Sequence, residues 1–152
     1  MQQHRYATTL RWTGALQGPT TDYRSYSRDY VMEIENKAPL EGSADPMFRG
    51  TASRYNPEEL LVAALSSCHL LSYLALCARN GVEVLSYEDQ ASGTMEMKDG
   101  AIRFTEVLLH PVCTVRGDLE KAKRLHEQAH AECFIANSVN FPVRHEPLLH
   151  QG

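Results

Sequence analysis

Hydrophobic and polar positions alternate only loosely in the first third of the chain. Segments 5–12 and 23–35 are rich in β-forming residues, and this pattern predicts two strands or a hairpin separated by a turn that contains Gly14, Gly18 and Pro19. Residues 36–56 show no sustained period and contain several Gly and Pro residues. We therefore expect a long irregular connection there, and such loops inside compact domains are often functional.

The strongest pattern in the chain is a nearly continuous apolar segment from Leu60 to Asn80. It is apolar almost all round, which predicts a central, buried helix. The preceding Asn56-Pro57-Glu58-Glu59 is typical of a helix start, with an N-cap, a proline in the first turn and acidic residues at the positive end of the helix dipole. Gly81 is a C-cap signal.

The rest of the chain predicts two strands, a second helix and a last strand. The strands are expected at 82–97 and 102–115, joined by a turn at Asp99-Gly100. Asp118 would cap a helix that runs to about Glu132, and residues 140–145 would form the last strand. The order ββ-α-ββ-α-β predicts an α+β fold with helices packed on antiparallel sheets, and the length of 152 residues fits one domain over 1–152.

Charge and composition argue against some classes of binding partner. The net charge is −4 and no Lys/Arg cluster occurs, which argues against nucleic-acid and membrane partners. The start of the chain lacks the apolar run of a signal peptide, and no stretch approaches the roughly 18 uninterrupted apolar residues of a spanning helix. We therefore expect a cytoplasmic protein.

The four cysteines are the first candidates for chemistry, although a reduced cysteine in such a protein is by default an inert core residue. Cys77 lies on the opposite side of the predicted helix from Cys68, and we expect Cys77 and Cys113 to be core residues. Cys68 differs because small polar residues surround it and leave room beside the sulfur. Cys133 follows the second helix, where a partner thiol is common.

A metal site is a competing interpretation of the second helix. His126, His130 and Cys133 are spaced i, i+4 and i+7, on one helix face, and a zinc ion with a fourth ligand from elsewhere fits that spacing. Alternatively, the histidines pack along the helix and bond to neighbours. His69 points about 100° away from Cys68 and would be a poor base for its sulfur.

Two motifs together resemble a known family. The first is Asn56-Pro57-Glu58-Glu59-Leu60-Leu61, followed by Ala64 and Cys68-His69; the second is Ala129-His130-x-x-Cys133-Phe134-Ile135-Ala136-Asn137-Ser138. They resemble the two cysteine segments of the OsmC/Ohr family, the osmotically inducible and organic hydroperoxide resistance proteins, and the OsmC-like branch in particular. The resemblance covers essentially the whole chain. It implies an OsmC-like fold and an intertwined homodimer with both active sites at the interface.

The resemblance also implies a reaction that uses neither cofactor nor metal. Cys68 would attack an organic hydroperoxide, Cys133 would form a disulfide with the oxidised Cys68, and a dithiol, small or on a lipoylated protein, would reduce the pair. An arginine held by Glu58 would stand beside the reactive sulfur. Arg49 is the preferred candidate because it lies in the irregular loop just before the helix; the alternatives are Arg28, Arg24 and Arg54.

One distance constrains this arrangement. Glu58 and Cys68 are ten residues apart, which is about 15 Å along a straight helix. Either the helix breaks near Ser66, or the Glu–Arg pair comes from a second subunit, as the resemblance implies. The competing functions are a thiol-based redox sensor and a metal-binding or structural dimer, both without peroxidase turnover.

Overall fold

The computed structural model describes residues 2–152 and confirms the α+β fold class. Over these residues the two helices are α1 (Pro57–Arg79) and α2 (Leu119–Glu132). The strands are β1 (Thr9–Arg11), β2 (Tyr30–Glu33), β3 (Leu40–Gly42), β4 (Glu83–Asp89), β5 (Ser92–Lys98), β6 (Ala101–Leu109), β7 (Pro111–Arg116), β8 (Val143–His145) and β9 (Leu148–Gln151). The chain divides into a first unit that ends at Leu60 and a second unit, Leu61–Gly152. That 1–152 is one domain stays a prediction.

The first unit contains an antiparallel sheet of order β1-β2-β3. Its first two strands are shorter than the predicted segments 5–12 and 23–35. Part of the reason is Arg28, whose guanidinium donates to the backbone carbonyls of Tyr23 and Tyr26 and stacks on the Tyr26 ring, 3.6 Å from its centroid. These carbonyls bond to a side chain instead of a neighbouring strand, and the segment before β2 is a turn.

The second unit contains two three-stranded sheets, of orders β4-β7-β9 and β5-β6-β8. Each of the two long predicted strands is split in two, at residues 90–91 and at His110. The Asp89 carboxylate accepts hydrogen bonds from the His110 N–H at 2.7 Å and from the Ser66 hydroxyl at 2.5 Å, and it thereby stabilises the break. Strands β8 and β9 pair in parallel with β6 and β7, so these two sheets are mixed, whereas the sequence predicts antiparallel sheets.

Helix α1 begins where the sequence predicts and is continuous. The Asn56 side chain accepts from the Glu59 N–H at 2.8 Å, and the Glu59 carboxylate accepts from the Asn56 N–H at 3.1 Å, a reciprocal capping box. The helix ends at Arg79, and Gly81 follows with φ 73°. Because the helix runs unbroken past Ser66, a break there does not bring Glu58 towards Cys68.

Only one face of α1 is buried within this chain, whereas the sequence predicts burial all round. The fully buried positions on α1 are Leu65, His69, Tyr73, Leu76 and Cys77. On the opposite face the exposed fraction is 66% for Leu71 and 37% for Leu74. The most apolar 18-residue window of α1 has a mean hydropathy of 1.9 and is 28% buried, so α1 is long and apolar enough to span a membrane. This corrects the expectation that no stretch of the chain approaches the requirements of a spanning helix. The core helix of a soluble protein meets the same requirements of length and hydropathy.

A buried histidine pair joins α1 to α2. His69 Nε2 lies 3.0 Å from His126 Nδ1, and the His126 ring stacks on the Tyr73 ring with centroids 3.7 Å apart. The Tyr73 hydroxyl donates to the Ala122 carbonyl at 2.9 Å. Burial, reinforced by His145, lowers the pKa of His69 to about 4, and burial together with His69 lowers the pKa of His126 to about 3. Both rings are therefore neutral near pH 7 and share one proton between the two facing nitrogens.

We predict that acid destabilises the fold through this pair. The pKa of an unfolded histidine is near 6.5. Between about pH 6.5 and about pH 4 the unfolded chain therefore binds protons that the folded pair does not. The free energy of unfolding decreases as the pH is lowered through this window. By pH 4 the loss should be on the order of 3 kcal/mol for each of the two histidines. Urea unfolding at several pH values measures it. In His126→Gln the free energy of unfolding should depend less steeply on pH over this window; an unchanged slope would contradict the prediction.

Candidate active site

Cys68 lies on the half-exposed side of α1 and lines a pocket of about 500 Å³. The lining comes from one stripe of α1 and from the segment that follows α2: Ala64, Ser67, Cys68, Leu71, Ser72, Ala75 and Arg79, with Glu132, Phe134 and Ile135. Small side chains therefore leave space beside the sulfur, as the sequence predicts. Leu65 and Leu61, one and two turns before Cys68, do not line the pocket, and Leu65 is fully buried in the core.

Cys133 is held at the C-terminal cap of α2 by a tight turn. Its N–H donates to the His130 carbonyl at 3.3 Å, and its sulfur accepts from the Ala136 N–H at 3.4 Å. The Asn137 amide donates to the Ala131 carbonyl at 2.9 Å, and the Ser138 hydroxyl donates to the Phe134 carbonyl at 2.7 Å. The polar residues of the second motif therefore fix the position of this sulfur.

The two sulfurs are close to each other. Burial raises the pKa of the Cys133 thiol, the neighbouring Cys68 thiol raises it further, and the Ala136 N–H acts in the opposite direction. All four cysteines are free thiols in this structure. Cys68 is the accessible member of the pair, and Cys133 is buried and held as a neutral thiol.

Glu58 and Arg49 are not paired within one chain. The Oε2 atom of Glu58 is buried and has no hydrogen-bond partner in residues 2–152. Arg49 is exposed, adopts a left-handed φ of 67°, and places its guanidinium 5.9 Å from the Tyr23 ring. No hydrogen bond or ion pair of its guanidinium occurs within the described part of the chain.

The alternative arginines differ in the number of contacts that their guanidinium groups already make. Arg54 is 3.5 Å from the Asp29 carboxylate and donates to the Tyr30 carbonyl at 3.1 Å. Arg28 is held by tyrosine carbonyls and rings. Arg24 is exposed. Arg54 and Arg28 would have to break existing contacts to reach a new carboxylate, which leaves Arg49 and Arg24 as the freer candidates.

The second helix does not assemble the metal site that its spacing allows. In the described range, residues 2–152, no group of three or more His, Cys, Asp or Glu side chains is arranged to hold a metal ion. The His126 ring faces the core, where its Nε2 lies 3.7 Å from the Cys113 sulfur, whereas Cys133 faces Cys68. The bonds that His126 makes to its neighbours match the alternative interpretation.

Arg79 and Phe134 are among the pocket residues that sequence reasoning missed. Phe134 is 82% exposed beside the buried Cys133, although it is among the largest apolar side chains of the chain. Arg79 is eleven residues beyond Cys68, which is about three turns and places it within about 20° of the same face. That spacing alone would have identified it.

Comparisons with known proteins show which family this fold is similar to. The family model described as OsmC-like protein matches residues 50–147. The structure is similar to an OsmC-like protein of unknown function from Vibrio cholerae, with a TM-score of 0.88 and 32% identity over 96% of this chain and 100% of the other. It also resembles an organic hydroperoxide resistance protein from Elizabethkingia anophelis, with a TM-score of 0.70 and 19% identity over 99% and 100% of the two chains. The uncharacterized protein YmaD of Bacillus subtilis is 21% identical over 91% of this chain and 89% of its own length.

We predict that Cys68 is the fast-reacting thiol of the native protein. The exposed fraction of Cys77, Cys113 and Cys133 is 1% or less, and burial raises the pKa of Cys77 and raises that of Cys113 to about 12. Alkylation by iodoacetamide, followed by mass spectrometry, should therefore modify Cys68 first and the other three only after denaturation. Cys68→Ser should lose the fast phase and the control Cys77→Ser should keep it. Rapid labelling of native Cys68→Ser would contradict this assignment.

Proposed function

Because the chain belongs to the OsmC-like protein family, we propose that it is a thiol peroxidase that reduces organic hydroperoxides. Cys68 is the peroxidatic residue and Cys133 the resolving one, and the reaction needs neither cofactor nor metal. The observation that carries this proposal is the accessible Cys68 thiol beside the buried Cys133 thiol in a mostly apolar pocket. The organic hydroperoxide resistance proteins among the structural relatives, from Elizabethkingia anophelis, Legionella pneumophila and Bacillus subtilis, support it at the level of fold.

The first step is attack of the Cys68 thiolate on the O–O bond. An S–O bond forms, the O–O bond breaks, and the alkoxide leaves and takes up a proton to become an alcohol. Cys68 is oxidised to a sulfenic acid and the hydroperoxide is reduced. The apolar side chains of the pocket, including Leu71 and Ile135, favour alkyl hydroperoxides over hydrogen peroxide.

The second step is condensation of the two sulfurs. The Cys133 sulfur attacks the Cys68 sulfenic acid, an S–S bond forms, and the hydroxide that leaves takes the Cys133 proton and departs as water. Because burial raises the pKa of Cys133, the proton stays on its sulfur until that sulfur attacks Cys68. A dithiol, either a small molecule or a lipoylated protein, then exchanges with the disulfide and restores both thiols. We place this cycle in the cytoplasm, with no nucleic-acid or membrane partner.

A homodimer would complete the site. The exposed apolar side chains of Leu71, Leu74 and Phe134 need a cover. Since α1 is continuous, Glu58 remains about 15 Å from Cys68 on the same helix. In the dimer that we propose, Arg49 and Glu58 of one subunit form an ion pair on assembly and lie beside Cys68 of the other. The guanidinium there favours the thiolate and binds the oxygen that departs.

We predict different failures for the two cysteine variants. Cys68→Ser should lose turnover of cumene hydroperoxide by at least about a thousandfold, because the nucleophile is gone. Cys133→Ser should consume about one equivalent and then stop as Cys68 over-oxidises. Stopped-flow peroxide consumption with dihydrolipoamide, followed by mass spectrometry, measures both.

Two outcomes would contradict the peroxidase proposal. Full turnover in Cys68→Ser would remove the assigned nucleophile. Stoichiometric oxidation of the wild-type protein without turnover, in the presence of reductant, would instead identify a redox sensor. Cys77→Ser is the matched control, since Cys77 is a buried core thiol on the opposite side of α1, and its turnover should stay within a few-fold of wild type.

The proposed dimer predicts complementation between two inactive variants. Arg49→Ala lacks the cation and Cys68→Ser lacks the nucleophile, so each protein alone should have little activity. After the two are mixed under conditions that exchange subunits, heterodimers should regain up to about half of the activity per pair, because one of their two sites is intact. Peroxide turnover after exchange measures this. Lack of recovery, despite subunit exchange confirmed by native mass spectrometry, would contradict a site shared between subunits.

A further inference from the structure

The pocket at Cys68 extends well beyond the sulfur, along three turns of α1. It reaches Arg79 in the last turn of the helix, and Leu71, Ser72 and Ala75 lie between the two ends. Eleven residues correspond to about 16 Å along the axis, and the two end positions lie within about 20° of the same face. The pocket is therefore a long groove with a thiol towards one end and a guanidinium at the other.

The charge at the far end of this groove is not neutralised. Arg79 is exposed, and its guanidinium makes no hydrogen bond or ion pair to the described residues. Glu132 also lines the groove, but its Oε1 accepts from the Gln128 amide at 2.8 Å, and it is not within 4.0 Å of Arg79. An unpaired guanidinium beside an apolar surface is suited to bind a carboxylate, which it can hold with two parallel hydrogen bonds.

We propose that Arg79 binds the carboxylate of an amphiphilic hydroperoxide whose chain lies in the groove and whose peroxide group meets Cys68. This inference rests on the proposed peroxidase function and adds to it a residue that selects acids over esters. An extended chain advances about 1.2 Å per bond, so a span of about 12 to 16 Å between head group and sulfur corresponds to roughly 10 to 13 bonds. Arg79 therefore also sets the position of the peroxide along the chain.

The test compares each acid with its own methyl ester. The substrates are long-chain fatty-acid hydroperoxides with the peroxide roughly 10 to 13 bonds from the carboxylate, a spacing that matches the span between Arg79 and Cys68. We expect wild-type kcat/KM to favour the acid by about tenfold, mainly through KM, as is typical for loss of one charge-assisted contact. In Arg79→Gln this ratio should fall towards one, and in Arg79→Lys it should be intermediate.

Two further variants separate a specific contact from a general effect of charge. Arg124→Gln removes an exposed arginine of α2 that does not line the groove, and the ratio of acid to ester should stay at the wild-type value. Glu132→Gln removes the carboxylate near the groove, and the ratio should rise or stay unchanged. Equal ratios in wild type and Arg79→Gln, or an equal loss in Arg124→Gln, would overturn the assignment of Arg79.

A binding measurement keeps this inference distinct from the peroxidase proposal. The same fatty acids without the peroxide group are titrated into wild type and Arg79→Gln by calorimetry, where no chemistry at sulfur is involved. We expect about tenfold weaker binding in Arg79→Gln and no comparable binding of the methyl ester to either protein. Binding that does not depend on Arg79 would overturn the head-group site. Absence of cumene hydroperoxide turnover with intact fatty-acid binding would instead contradict the peroxidase function alone.

Discussion

The packing of α1 against α2 is the constraint on which the rest of the structure depends. The two helices are joined in the core by the His69–His126 hydrogen bond and by the Tyr73 hydroxyl on the Ala122 carbonyl. Cys68 precedes His69 on α1, and Cys133 ends α2, so a rotation or slide of either helix changes the separation of the two sulfurs. A buried polar group left without its partner costs about 1 to 3 kcal/mol. The histidine pair therefore resists such movement, and core stability and the geometry of the sulfurs have one physical origin.

Helix α1 serves the core on one face and the site on the other, and these two roles conflict. A helix this apolar should be covered all round, yet the face that carries Cys68 also exposes Leu71 and Leu74. Apolar surface of this kind on a single chain marks an interaction site. Covering it completely with the chain's own residues would bury the thiol and make it inert. The partner subunit that we propose would cover the apolar face and supply a cation, and this would resolve the conflict, because the thiol would remain reachable through the groove and would be stabilised when ionised.

Local chemistry made the helices predictable, whereas contacts between distant residues made the sheets hard to predict. Asn56 and Asp118 cap their helices with side chains three residues from the N–H groups they accept, so the sequence alone defines both starts. The break at Asp89 and His110 and the parallel pairing of β8 and β9 depend on residues far apart in the chain, which no period reveals. Helical spacing separated Cys77 from Cys68 correctly. The closeness of Cys68 and Cys133 came only from the family resemblance, since nothing in their spacing implies it.

The environments of the four thiols give each a different capacity for chemistry. Cys77 and Cys113 are enclosed by core residues and are therefore unreachable, and burial also raises their pKa values, which keeps them neutral. Cys133 is also buried, but it faces Cys68 and accepts a hydrogen bond from the Ala136 N–H, so it can react with a neighbouring sulfur but not with a substrate. Cys68 alone faces the groove. The order of the proposed reaction follows from these exposures: the accessible sulfur must be oxidised first, and the buried one can only resolve it.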